Sequence, residues 1–187
     1  MSKENDSSSL EEIISDFSSH RSVVIGRLSW VAYFFNLSYL VSERSPDAQT
    51  KHGAVIVDKE NRVVSTGYNG FPRGGPDLLL PNIRPKKYPY IVHAEMNALL
   101  SARCDVTGFS IFVTGFPCKS CLLHIISSGI KEIFCGTRTH QEDEESSIVR
   151  SVLCEVYGVK TYLHDEGNTS QISLCNHKKN FLPFDKL

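Results

Sequence analysis

What most constrains the fold of this chain is where its β-branched runs lie relative to its helical ones. GAVIVD (53–58) and RVVSTG (62–67) are separated only by Lys59, Glu60 and Asn61, a gap that permits an antiparallel hairpin and nothing longer. From residue 93 the pattern alternates. HAEMNALLSA (93–102) reads as a helix, SIFVTG (110–115) as a strand, and KSCLLHIISSG (119–129) as a helix closed by Gly129. KEIFCG (131–136) is the next strand, a helix over roughly 142–157 carries acidic residues in its first turn and Gly158 after its end, and VKTYL (159–163) is the last strand. An earlier helix starts at Ser29, an N-cap residue type, with Trp30, Tyr33, Phe34, Leu37, Leu40 and Val41 at helical spacing. Strands joined through helices pair in parallel. The expected class is therefore α/β, a three-layer α/β/α sandwich on a mixed five-stranded sheet, with an initial antiparallel hairpin followed by parallel strands.

At 187 residues the chain holds one domain with a real core. Residues 1–22 are serine-rich and charged and read as an appendage, 23–165 as the folded domain, and 166–187 as a tail with no strong pattern. Lys plus Arg (20) nearly balances Asp plus Glu (21), which argues against a nucleic-acid-binding field. No apolar run is long enough for a membrane span, and the opening MSKENDSSSLEE lacks the pattern of a secretory signal. The expectation is a cytoplasmic protein with reduced thiols among Cys104, Cys118, Cys121, Cys135, Cys154 and Cys175.

Only Cys118 and Cys121 have metal-ligand spacing, and a CxxC pair needs partners before it means anything specific. They are present: His93-Ala-Glu95 lies 25 residues before Pro117-Cys118-Lys-Ser-Cys121. One imidazole and two thiolates leave the fourth position of a tetrahedral Zn2+ for water, the arrangement of a catalytic site, and zinc lowers the pKa of such a water to about 7. Each metal-bearing segment opens a helix, so the positive ends of two helix dipoles favour thiolate. Glu95, two residues after the histidine, is placed to take a proton from water, pass it to a ring nitrogen and help ammonia leave. H-x-E followed by P-C-x-x-C is the signature of zinc-dependent nucleobase deaminases.

Beyond that signature, the chain resembles the deoxycytidylate (dCMP) deaminases of the cytidine deaminase superfamily. The resemblance runs through Ser29-Trp30, Tyr33-Phe34, Glu43-Arg44-Ser45, GAVIV (53–57), GYNG (67–70) with Pro72, KYPY (87–90), HAEMNA (93–98), Phe116-Pro117-Cys118 and SGIKE (128–132). It implies the cytidine deaminase fold and hydrolysis of dCMP to dUMP and ammonia, which supplies thymidylate synthesis. It also implies a homo-oligomer, often a hexamer, activated by dCTP and inhibited by dTTP, with Mg2+ accompanying a triphosphate effector. By the same resemblance Asn69 meets the sugar hydroxyl, Ala94 is among the substrate-binding residues, Phe116 stacks on or borders the base or is a plain core residue, and Arg44 and Ser45 are candidates for phosphate or effector contact, with Arg73, Lys86 and Lys87 as alternates. Gly67, Tyr68, Gly70 and Arg73 belong to the effector loop. Asn69 also suits a plain turn.

The match has departures. Gly74-Gly75-Pro76-Asp77 stands where the family usually has Gly-Cys-Ser-Asp, Gly115 replaces a leucine, Asn82 a tryptophan, and His52 an apolar residue. Around Asp47 and Ala48 there is no cysteine for a second, structural zinc. His124 reads as a core or interface histidine. Three rival functions stay open: deamination of another cytosine nucleotide such as dCTP or a modified dCMP, of a nucleic-acid base, or an idle zinc-binding regulatory subunit. Glu95 separates the last from an enzyme, because it is no zinc ligand and a purely structural site has no use for it.

Overall fold

A computed structural model describes residues 28–75, 79–138, 144–164 and 172–174. The appendage 1–22, Pro76 and Asp77, the first residues of the 142–157 helix, Cys175 and most of the tail lie outside the described residues. Four α-helices and six strands follow in the order α1 (Trp30–Ser42), β1 (Gly53–Val57), β2 (Val63–Tyr68), α2 (Ala94–Ser101), β3 (Ser110–Gly115), α3 (Lys119–Ser127), β4 (Glu132–Arg138), α4 (Glu144–Val156), β5 (Lys160–His164) and β6 (Ile172–Leu174). No described helix is long and apolar enough to cross a membrane.

The sheet order is β2-β1-β3-β4-β5-β6. β1 pairs antiparallel with both β2 and β3, whereas β4 and β5 join β3 in parallel. These five strands lie as the sequence predicts. The sixth, β6, adds antiparallel to β5 from a segment whose sequence gives no strand signal. Three residues are too few for periodicity to register, but they pair an edge whose backbone groups would otherwise face solvent.

Alternate residues of β1 explain why GAVIV is an unbroken apolar run. Ala54 and Ile56 belong to the core beneath α2, α3 and α4, with Ala98, Ile111, Leu122, Ile125 and Ile133. Val55 and Val57 face the opposite way, onto Phe34 and Phe35 of α1 and Phe112 of β3. A strand covered on both faces has no polar side to display. Side chains such as Ile56, Ile111 and Phe34, 0–1% exposed, each contribute about 1.5–3 kcal/mol by burial. Ser29 caps α1 as its sequence suggests, its hydroxyl accepting from the Ala32 amide at 3.2 Å.

β2 shows how the sheet admits α2. Its inward residues are small: the Ser65 hydroxyl donates to the Ala98 carbonyl at 2.8 Å, and a Cβ on Gly67 would lie 2.3 Å from the Ala94 carbonyl and 2.2 Å from the Ala98 amide. Gly67, expected in an effector loop, is thus where helix and strand backbones touch. That close approach fixes the first turn of α2, and with it the residues of the site.

Candidate active site

His93 and Cys118 occupy equivalent places, the N-caps of α2 and α3, both with extended backbone (φ −69°, ψ 156° and φ −65°, ψ 162°). Neither side chain is used to cap its helix. Both turn toward each other instead. Val92, just before His93, exchanges two backbone hydrogen bonds with Gly70, at 3.0 and 2.8 Å, so the second expected effector-loop glycine also anchors the approach to the histidine.

His93 Nδ1 lies 3.5 Å from Cys118 Sγ and 3.5 Å from Cys121 Sγ, and all three candidate ligand atoms fall within 4.8 Å of one another. In a tetrahedron with Zn–S of about 2.3 Å and Zn–N of about 2.05 Å, sulfur and nitrogen are separated by about 3.6 Å. The donor set and its spacing therefore fit zinc.

The charges fit as well. Cys118 is held down to about 3, first by the hydrogen bond it accepts from the Cys121 thiol and then by His93. Cys121 is pushed up for the complementary reason, since its proton is shared with Cys118, and burial adds to this. His93 is raised by its hydrogen bond to Cys118 and by the charge of Glu95, against the opposing effect of burial. A dication takes the place of those protons at thiolate ligands.

Glu95 sits in the first turn of α2, 5% exposed. Burial is the chief cause that raises its carboxyl above the ordinary carboxylate range. A carboxyl so placed exchanges protons near neutral pH more readily than an exposed one.

The site opens into a cleft whose empty space, its open mouth included, is about 570 Å³. It is lined by His93, Ala94, Glu95, Phe116 and Cys118, with Gly115 and Val113. The cleft is also lined by Asp47, Thr50, His52, Arg84, Lys87 and Tyr88. Lys87 and Asp47 form a buried ion pair with a contact at 2.6 Å. Burial by itself would raise the Asp47 carboxyl, but hydrogen bonds from Lys87 and from the Thr50 and Gln49 amides hold it below the usual value.

Asn69 lines the same cleft. Its Nδ2 donates to Asp47 Oδ2 at 3.2 Å and to the Thr50 carbonyl at 2.9 Å, and its Oδ1 accepts from the His52 amide at 2.7 Å. Turn-like and site-lining roles thus meet in one residue. Phe116 carries the Arg150 guanidinium of α4 over its ring, 4.0 Å from the centroid. His52 is tied through Nδ1 to the Thr114 hydroxyl at 3.2 Å.

Other candidates fall elsewhere. Arg44 is exposed at the end of α1 and does not line the cleft. The Ser45 hydroxyl is buried and donates to the Asn69 carbonyl at 2.7 Å. Arg73 donates to Ser101 Oγ at 2.6 Å, and the Tyr68 carbonyl accepts from Asn97 Nδ2 at 2.8 Å, both away from the cleft lining. His124, expected in a core or interface, is exposed on α3 with its ring against the Ser120 carbonyl. Asp47, Thr50 and Arg84 carry no local sequence signal, because Asp47 meets Lys87 only across 40 residues of chain.

Residues 28–137 match the cytidine and deoxycytidylate deaminase zinc-binding region. The chain belongs to this family. The deaminase is 40% identical over 139 residues to the deoxycytidylate deaminase of Mus musculus, covering 71% of this chain and 78% of that one. It is 42% identical over 128 residues to the deoxycytidylate deaminase of Homo sapiens, covering 64% and 72%. A crystal structure of the dCMP deaminase of cyanophage S-TIM5 in complex with dCMP and dUMP superimposes with a TM-score of 0.58 at 23% identity, covering 70% and 93%. That likeness establishes the deaminase fold. The matched region contains all three candidate ligands, His93, Cys118 and Cys121.

Proposed function

We propose that this deaminase hydrolyses dCMP to dUMP and ammonia, with Glu95 moving the protons. The observation that carries the reading is the placement of Glu95, a buried carboxyl beside the three ligands that is not itself a ligand. Support for the substrate comes from the mammalian relatives, both of which are deoxycytidylate deaminases.

When bound, zinc held by His93, Cys118 and Cys121 makes water nucleophilic near neutral pH. Glu95 takes one proton from the attacking water and gives it to the ring nitrogen beside the amino-bearing carbon, then takes the second from the added hydroxyl and passes it to the amine, which leaves as ammonia. Its raised pKa suits both directions of transfer. Phe116 borders the base, with Arg150 packed on its ring, and Ala94 and Gly115 leave room for a flat pyrimidine. Asn69 faces the sugar hydroxyl, its amide already oriented by Asp47 and Thr50. Displaced water strengthens each of these polar contacts.

The test is release of ammonia from dCMP by protein carrying one zinc per chain, compared with CMP, dCTP, deoxycytidine and a tRNA anticodon hairpin. Glu95→Ala should keep its zinc and lose about 10²–10⁴-fold in kcat, the usual range for general acid–base catalysis. An active alanine variant would remove Glu95 from the mechanism, and turnover of the hairpin alone would remove the free-nucleotide substrate. The same reading takes the enzyme to be a cytoplasmic homo-hexamer, activated by dCTP with Mg2+ and inhibited by dTTP. Assays with each nucleotide and sedimentation of the purified protein test this.

A further inference from the structure

We infer that Arg84 is the residue that reads the nucleotide's 5′-phosphate, with the Thr50 hydroxyl beside it; this rests on the nucleotide reading above and narrows it to one contact. Cations that could meet a phosphate are few once the cleft is in view. Among the described residues that line it, the Lys and Arg side chains are Arg84 and Lys87. Lys87 is 2% exposed and held by both oxygens of Asp47. Its charge is therefore already matched.

Arg84 differs in each respect. It lies at the exposed wall of the cleft, and no carboxylate among the described residues forms an ion pair with it. Two contacts hold it in place: its backbone amide donates to Gln49 Oε1 at 2.7 Å, and one terminal nitrogen donates to Thr50 Oγ1 at 2.5 Å. Gln49 and Thr50 are themselves fixed by their amides, which donate to the buried Asp47 carboxylate at 2.8 and 3.0 Å. The guanidinium is thus set in advance on a braced loop, with most of its five donors uncommitted and a hydroxyl alongside whose proton is available to an acceptor.

Geometry then selects the ligand class. The chemistry of the site rests on His93, Glu95 and Cys118 at the starts of two helices, while Arg84 and Thr50, joined to each other, come from loops that line the same cleft. A nucleotide bound with its base at the reactive end carries its anionic group away from that end. A planar guanidinium offers the paired donors that a phosphate accepts. A neutral nucleoside leaves this contact empty.

The experiment is steady-state kinetics of the zinc-loaded full chain on dCMP and on deoxycytidine, for the parent, Arg84→Gln and Arg84→Lys. Arg84→Gln should raise KM for dCMP by about 10- to 100-fold with a smaller change in kcat, the scale of a lost charge-assisted contact. The preference for dCMP over deoxycytidine should collapse with it, and Arg84→Lys should restore part of that preference. Binding of dUMP against deoxyuridine by calorimetry should show the same loss without turnover. The assignment is overturned if Arg84→Gln keeps KM for dCMP within about twofold of the parent, or weakens dCMP and deoxycytidine alike. If the parent itself does not deaminate dCMP, the functional reading fails, and this assignment fails with it.

Discussion

Replacing Lys87 by methionine removes the charge of a pair whose two side chains are each 3% exposed. A pair this deep is costly to half-remove, because the remaining ion keeps its desolvation penalty; the usual loss is about 3–5 kcal/mol. Asp47 would still accept from the Gln49 and Thr50 amides and from Asn69. The expected loss therefore sits at the low end, about 3 kcal/mol. At about 2–4 °C per kcal/mol for a chain of this size, Tm should fall by about 6–12 °C. Asp47→Ala should cost more, since it also strips the acceptor from two loop amides and leaves the Lys87 ammonium buried. The double variant should lose less than the sum of the two. Thermal denaturation of the zinc-loaded protein at pH 7.5 measures all three. The folded-state pKa of Asp47 lies below its ordinary 3.8, so its contribution is present above that value and disappears as pH falls through the lower one. The gap between parent and Lys87→Met should accordingly narrow as pH falls through the range in which the variant's buried, unpaired Asp47 takes up a proton. A Tm change under about 2 °C, or additive effects in the double variant, would refute the reasoning.

Gly67→Ala forces a methyl group into the Ala94 carbonyl and Ala98 amide; α2 must move, so both stability, by about 1–3 kcal/mol, and zinc affinity should fall, as competition with a chelator measures. In metal-free protein Cys118, with its pKa near 3, should alkylate at a rate nearly independent of pH from about 5 to 8, while Cys121 reacts far more slowly; mass spectrometry of the modified peptides checks the order. Arg150→Ala removes the cation over the Phe116 ring and should raise KM for dCMP by about two- to fivefold, the scale of about 0.5–1 kcal/mol, with zinc content unaffected as judged by metal analysis.

The clustering of the candidate ligands with Glu95 is legible in the sequence because each part of it is local in the chain. His93 and Glu95 lie on one helix start and Cys118 and Cys121 on another, and fixed helix geometry converts such short spacings directly into positions in space. The five main strands were legible for the same reason: β1 must be apolar throughout if it is buried on both faces, and Gly129 and Gly158 mark helix ends wherever the helices pack. What the tertiary structure alone decided is which loop residues line the cleft beside the candidate ligands. Arg44 and Ser45 looked suited to a phosphate, yet one ends on the surface and the other is spent on the Asn69 carbonyl. Arg84 and Thr50, 34 residues apart, and Asp47 and Lys87, 40 apart, become neighbours only when two loops fold onto the same edge of the cleft. Loop residues have no periodicity to reveal such meetings. Their pairing is fixed by the burial of opposite charges and by the hydrogen bonds that orient them, and neither exists until the chain has closed.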